Sequence, residues 1–470
     1  MLNTIITVLS SILWGWPVWI LILLFGLWFT VKSRGFQFTY CIKAIKYTCK
    51  RSRVRVSFQQ KGVTGAQALS AALAGSVGTG NIAGVAAALL AGGPGAIFWM
   101  WISALLGMGT LLCEIILAAQ NRRTSPGKVP LGGAMVTLRD RLHCPILSRV
   151  FTVGCIAASL GMGCLAQSHA AAAAAQALSL PPAALGIAFA ILLAVGFGGL
   201  RRTVHITEKL VPVMSGLFLL LCALVLWNSR ERVPQAICSI FSCAFDGRAI
   251  GLGGSCGFFL ALKTGVTRGI FTNEAGLGSA VFAYSGAQEE DPVRQGYWGI
   301  VQILIDTILM CTLTALCLLS SGLYPAAAEG AAWCVATFSA VLGMPGQVGI
   351  SLCTLLFALA TMFAWQCYGR SAWCFLSGGR WQGIYRLLFA GAALWGVFLP
   401  EGSVFSLCDA FNGLMAIPNL FMLLNLWPQA IDAIQQFREQ ERNSIYEHTA
   451  SRRPAGPSAK KSGAVSHPRP

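Results

Sequence analysis

The chain is a succession of apolar stretches, each about 20 residues long and separated from the next by a short polar break. That length is what a helix needs to cross a hydrocarbon core of ~30 Å at a rise of ~1.5 Å per residue. Only 11% of the 470 residues are charged and 55% are hydrophobic, against roughly 25% charge in a soluble domain. So much apolar surface has no place in a single aqueous core, and the expected fold class is an all-α integral membrane protein. Eleven spans are read, near residues 11–31, 64–91, 94–119, 149–178, 181–199, 209–227, 251–284, 296–321, 348–376, 384–399 and 403–427.

The net charge of +17 does not point to nucleic acid, because Lys and Arg gather in the gaps between spans instead of covering a folded face. The densest run, KSRGFQFTYCIKAIKYTCKRSRVRV from Lys32 to Val56, follows the first span. An excess of Lys and Arg marks cytoplasmic loops, which places the N-terminus outside. The basic loops 121–149 and 201–209 fall on the same side, and eleven crossings leave the C-terminus in the cytoplasm. The expected organisation is residues 1–62 for the first helix and basic loop, 63–434 for a ten-helix core, and 435–470 for a tail. Arg452, Arg453, Lys460 and Lys461 lie in that tail, whose polar, Pro- and Ser-rich composition predicts disorder. The first span has no charged leader region and no small-residue cleavage site, so it reads as a true helix. Seventeen cysteines, including Cys155, Cys164, Cys222, Cys311 and Cys317, stand mostly alone inside apolar segments. They read as small core residues, not as disulfides or metal ligands.

Two spans are interrupted, one by SVGTGNIAG (residues 76–84) and one by GVTRGIFTNEAGLGSA (residues 265–280). With the first span set aside, these become the opening helices of two five-helix halves, the pattern of a transporter built from inverted repeats. An unwound turn frees N–H and C=O groups that lipid cannot satisfy, so it persists only where it lines a cavity or binds something. Half-helix N-termini favour a carboxylate and freed carbonyls favour a cation. A zwitterionic amino acid with Na+ satisfies both. Gly80 to Gly84 also fits GxxxG, which signals close helix packing; two breaks in matched positions, both with polar residues, favour a site.

Acidic residues at bilayer depth are functional candidates, and the spans carry Glu114, Glu274, Asp306 and Asp409. Glu114 is expected to pair with Arg122 or Arg123 at its helix end. Arg268 and Glu274 are a candidate gating pair, and Asp306 is either ion-linked or a structural hydrogen-bonding group. Gln167 and His169 lie in GCLAQSHAAAAAAQ, a helix with a small-residue face. The glutamine is expected at a cavity and the histidine in the packed core. Thr361 and Trp365 share a helical face, the first offering an oxygen to sodium and the second a wall to an apolar pocket. HExxH, GxSxG and GxxxxGK[ST] are absent from the sequence, so no enzyme is expected and transport would be secondary, driven by an ion gradient.

GSVGTGNIAGVAAALLAGGPGAIFWMWISALLGM, and GVTRGIFTNEAGLGSA followed by PVRQG, resemble the signatures of the alanine or glycine:cation symporter family. EKLVP, IDT, LFALATMFAWQCYGR and NGLMAIPN extend the resemblance from about Val63 to Leu426. The resemblance implies a LeuT-like five-plus-five inverted repeat with one extra N-terminal helix, and sodium- or proton-coupled uptake of small neutral amino acids. It implies that Thr79, Gly80 and Asn81 hold the substrate's carboxylate and amino groups. Gln167, Thr361 and Trp365 would complete the pocket, and Phe271 to Gly276, including Asn273, would form its other wall. Sodium would sit between carbonyls near Ser76 to Thr79 and the Thr361 hydroxyl. His169 stands where the family usually carries Asn, and Ala360 where Ser or Thr is common, which leaves Na+ and H+ both open as coupling ion. The expected protein is a multi-pass transporter of the cytoplasmic membrane that imports alanine or glycine with Na+, with no other cofactor. Its partners are the amino acid, Na+ and lipid, not nucleic acid. A channel would use similar breaks but would not concentrate substrate, and a receptor-like or structural membrane protein would bind none.

Overall fold

The computed structural model describes residues 2–52, 63–124, 130–196, 200–245, 257–287, 289, 291–324 and 330–451. It is almost wholly helical. Helix α1 (Leu2–Leu13) turns at Gly15 into α2 (Trp16–Lys32), which starts with a proline in its first turn, where a missing N–H costs nothing. Short helices α3 (Phe36–Thr39) and α4 (Cys41–Ser52) follow. Helix α5 (Gly65–Ser76) opens with a capping box in which the Thr64 hydroxyl accepts from Gln67 N and the Gln67 side chain accepts from Thr64 N. It ends at a break, a single 3-10 turn over Thr79–Asn81, before α6 (Ala83–Gly92) continues at 56° to it.

The first half goes on through α7 (Gly95–Gln120), α8 (Ala134–Asp140), α9 (Pro145–Leu160), a π-helical segment Gly161–Leu165, α10 (Ala166–Ala177), α11 (Pro182–Gly196), α12 (Leu200–Asn228) and α13 (Val233–Ala244). A two-residue hairpin pairs Arg123 with Leu131 and Thr124 with Pro130. The second half begins with α14 (Gly257–Asn273), which also breaks before α15 (Val281–Tyr284). Then come α16 (Pro292–Ile303), a π-helical segment Leu304–Cys311, α17 (Thr312–Ser320), α18 (Gly330–Leu342), α19 (Met344–Ser377), α20 (Gln382–Gly396) and α21 (Glu401–Ser451).

Helix α7 is buried along most of its length and packs against α14, α16 and α2. Small residues allow the approach: a Cβ on Gly265 would collide with the Ala96 carbonyl, so glycine is what lets α14 lie against α7. The outer surface is the reverse of a soluble protein's, with Ile12, Trp16, Val195, Val213, Trp227 and Leu387 all well exposed. Such an apolar exterior suits lipid.

Among the described residues, seven helices are long and apolar enough to cross a bilayer, and the bent pair α5–α6 makes an eighth. The spans read near 181–199 and 384–399 fold as α11 and α20, each of 15 residues, about 22 Å at ~1.5 Å per residue and short of a ~30 Å core. That near 251–284 divides into α14 and α15, and its residues 251–256 lie outside the described residues. Helices α13 and α18 occupy stretches read as loops.

The tail departs from its expectation. Helix α21 runs on to Ser451, and its turns up to Glu441 are docked: Phe437 packs edge-on against Phe36 and Tyr40, Arg438 donates to the Ser33 carbonyl at 2.9 Å, and Glu441 pairs with Lys43 at 2.9 Å. Residues 452–470 lie outside the described residues.

Candidate substrate and ion site

The first break is held by side chains from three other helical segments. Asn81 closes the turn on itself, its Oδ1 accepting from Gly78 N at 3.0 Å. Its Nδ2 donates to Asp306 Oδ1 at 2.8 Å and to the Asp306 carbonyl at 3.0 Å. The Asn81 carbonyl accepts from Thr314 Oγ1 at 2.7 Å. Gln167 Oε1 takes both donors of Thr79, the backbone N at 3.1 Å and the hydroxyl at 2.9 Å, while its own Nε2 donates to the Met162 carbonyl at 3.0 Å. That carbonyl lies in the π-helical segment between α9 and α10, and Asp306 lies in the one between α16 and α17. Extra residues inserted into helices recur at functional positions.

Thr361 of α19 rests on Gly78, where a Cβ would collide with its hydroxyl oxygen. Thr361 Oγ1 and Ser76 Oγ are both buried with no hydrogen-bond partner among the described residues. Two orphaned hydroxyls beside one unwound turn are unusual, since buried polar atoms are nearly always paired.

Beyond the turn lies a cavity of about 30 Å³, bounded on one side by Thr79, Gly80 and Ala83. Ala166, Ala170 and Ala173 of α10 form an alanine face on another side, with His169 beside them. Phe271 of α14 and Phe405 of α21 cover it. The Arg268 guanidinium stacks on Phe405 at 4.4 Å and lies 3.7 Å from Asp409.

The second break follows α14. Asn273 Oδ1 accepts from Ala275 N at 3.0 Å, and Glu274 adopts a left-handed φ of +59°, rare for a residue with a side chain. Gly276 (φ +88°) and Gly278 (φ +73°) complete the turn. Glu274 Oε2 accepts from Ser279 Oγ at 2.7 Å and Oε1 from Trp365 Nε1 at 3.2 Å. Glu114 Oε1 accepts from Gly276 N at 3.0 Å and from Asn419 Nδ2 at 2.6 Å.

Two sequence expectations are corrected here. Arg268 does not pair with Glu274 but with Asp409 of α21, on the same side as Phe405, over which its guanidinium lies. Glu114 does not meet Arg122 or Arg123. Arg122 donates to the Ala287 and Glu289 carbonyls and Arg123 pairs with Asp140, while Glu114 faces inward to the second break.

Of the residues expected at the site, Thr79, Gly80 and Phe271 line the cavity, and Asn81, Gln167, Ser76 and Thr361 surround the first turn. Asn273 and Gly276 build the second turn, where Ile22 of α2 closes on Gly276. Trp365 lies against Gly163 and holds Glu274, outside the cavity lining. His169, expected in the packed core, and Phe405 both line the cavity. The departure from the family's Asn was the signal for the first; nothing in the sequence marked the second.

The sodium:alanine symporter family model matches residues 1–451. The sodium/alanine symporter AgcS of Methanococcus maripaludis is 34% identical over 451 residues, covering 94% of this chain and 98% of its own length. A transporter of Haemophilus influenzae is 35% identical over 457 residues, with 95% and 98% covered. The probable sodium/glutamine symporter GlnT of Bacillus subtilis is 30% identical over 447 residues, with 94% and 92% covered. The chain belongs to the sodium:alanine symporter family and is a multi-pass membrane protein of sodium-coupled amino-acid transport, not an enzyme.

Proposed function

We propose that this protein is a secondary active transporter of the cytoplasmic membrane that imports a small neutral amino acid, alanine or glycine, with Na+ by alternating access. Its fold is read as a LeuT-like pair of inverted five-helix repeats after one extra N-terminal helix. The recurrence of broken helix, long helix, long helix, short helix, long helix supports this: α5–α6, α7, α9–α10, α11 and α12, then α14–α15, α16–α17, α19, α20 and α21. The N-terminus is placed outside and the C-terminus in the cytoplasm by the basic loops.

The observation that carries the reading is the first turn. Thr79, Gly80 and Phe271 bound a small cavity, and Asn81 and Gln167 fix the turn from behind. Na+ is assigned to the unpartnered hydroxyls of Ser76 and Thr361 together with Thr79, because a hard cation takes oxygen ligands. Asn273 and Gly276 shape the opposite turn, Trp365 and Glu274 brace it, and Asp306 orients Asn81. Arg268 with Asp409 caps the cavity over Phe405 as a gate. The sodium/alanine symporter AgcS favours alanine as the substrate tested first.

Uptake of labelled alanine into proteoliposomes tests this. Accumulation above the outside level is expected with an inward Na+ gradient and its loss in Gly80→Leu, which fills the turn against Thr272 and Phe271. Equilibration without accumulation would mark a channel, and no alanine-dependent signal a structural protein. Repeating the assay with a proton gradient alone separates Na+ from H+ as the driving ion.

A further inference from the structure

Three carboxylates, Glu114, Glu274 and Asp306, are fully buried beside the two breaks, with no Lys or Arg in contact among the described residues. Both oxygens of Asp306 have donors, from Asn81 and Thr307, and both oxygens of Glu274 have donors, from Trp365 and Ser279. Glu114 differs. Its Oε1 accepts twice, and its Oε2 is buried and makes no hydrogen bond among the described residues, with the Gly278 backbone beside the carboxyl.

The group that faces it is unsatisfied in the same way. Asn419 spends Nδ2 on Glu114 Oε1 and on the Gly276 carbonyl, at 2.6 and 2.9 Å, and its Oδ1 is likewise buried and unpartnered. That oxygen lies so close over the second break that a Cβ on Gly278 would come within 2.7 Å of it. An amide whose N–H reaches one carboxyl oxygen, with both remaining oxygens orphaned, lacks a single hydrogen. A proton on Oε2 gives Oε2 a bond to make and Asn419 Oδ1 a bond to accept, whereas Na+ would need several further oxygens.

We propose that Glu114 and Asn419 form a proton-binding site, separate from the Ser76–Thr361 sodium pocket, that is filled in this closed arrangement. The proton leaves when the second break opens to water: the Glu114 O–H bond breaks, the carboxylate keeps the electron pair and water takes the proton. The filled site ties α7, the second break and α21 together. An emptied one places a bare carboxylate among apolar neighbours and against Glu274, which disfavours closure. The titratable groups facing it are Cys113 on its own helix and Glu274 on the break. From α2 comes Ile22, from α21 Asn419, and α16 presents Gly296 and Gly299 to the same stretch of α7. Arg268 of α14 is turned to Asp409. The proposal rests on the transport reading and is tested apart from it.

Wild-type and Glu114→Gln proteins are reconstituted with equal Na+ on both sides and a pH-sensitive dye in the lumen. Glutamine mimics the filled site, giving Asn419 Oδ1 a fixed N–H donor. Alanine is expected to change lumenal pH in the wild type and not in E114Q, while labelled-alanine counterflow stays within about threefold in both. No alanine-dependent pH change in the wild type, or an equal one in E114Q, overturns the proposal. So does an E114Q that alters the Na+ dependence of counterflow and leaves the pH signal intact, because the site then holds sodium. Failure of wild-type counterflow itself would instead reject the transport reading. Should E114Q not fold, the infrared band of a protonated carboxyl decides: Asn419→Ala removes its acceptor and shifts the band, and an unshifted band overturns the proposal.

Discussion

Asn81→Ala removes one side chain that holds two things at once, the Gly78 end of the first turn and the Asp306 carboxylate. The Gly78 N–H loses its side-chain acceptor and keeps the Ser76 carbonyl at 2.9 Å, so the loss is about 0.5–1.5 kcal/mol, one net hydrogen bond. Asp306 Oδ1 loses a charge-assisted donor, about 1.5–3 kcal/mol. Thr314 still binds the residue-81 carbonyl, so the helix ends stay joined and the loss falls on the shape of the turn. Together about 2–4.5 kcal/mol are expected, which lowers the population of the competent turn by roughly thirtyfold to two-thousandfold. Sodium-driven alanine uptake measures this, and the apparent KM should rise by at least about thirtyfold with membrane insertion unchanged. Asp306→Asn keeps an acceptor for Asn81 and should lose only about tenfold, while N81A/D306A should be far less than additive. An N81A protein within threefold of wild-type KM, or a fully additive double variant, would refute the reasoning.

Gly78→Ala places a methyl against Thr361 Oγ1 and should abolish uptake; adding Thr361→Ala should restore part of it, as measured by initial rate in the same vesicles. Thr361→Val keeps the volume and deletes the orphaned hydroxyl, so the Na+ concentration for half-maximal uptake should rise at least tenfold while the protein's Tm changes little. Asp409→Asn should speed loss of bound alanine to the outside, read by dilution of preloaded protein, because Arg268 then covers Phe405 without an ion pair. Glu441→Gln should shift Tm by less than about 2 °C, since the Lys43 pair is exposed at the Lys end and such pairs contribute about 0–1 kcal/mol.

The two breaks were legible because they are local: a span-length apolar segment with several glycines and polar residues at its centre states its own interruption. The residues of the first turn followed for the same reason. Partners across the fold were not legible. Glu114 meets Asn419 from 305 positions away, and sequence proximity pointed instead to Arg122. Arg268 likewise favoured Glu274 on its own segment until α21 brought Asp409 beside it. Helices α13 and α18, of 12 and 13 residues, are too short to stand out as spans and were read as connections. The helical start of the tail was hidden because composition reports solvation, whereas the turns up to Glu441 are held by docking on α3 and α4.

The size of the cavity bears on how the protein works. The cavity of about 30 Å³ is narrowed by Phe271, Phe405 and the alanine face, and in the proposed transport cycle entry of substrate requires these walls to part. The walls differ in kind. On one side the α10 face of Ala166, Ala170 and Ala173 meets Ala83 and Ala331, and Gln167 of the same helix ties it to the turn by two hydrogen bonds from Thr79. On the other, Phe271 and Phe405 are fixed by the Arg268 guanidinium stacked on them and paired to Asp409. Opening past the phenylalanines must break that ion pair, whereas movement of the alanine face breaks no ion pair. The two sides of the cavity are therefore held by different interactions, an ion pair over the phenylalanines and the Gln167–Thr79 hydrogen bonds on α10, so in the proposed transport cycle each side would open by breaking a different set of bonds.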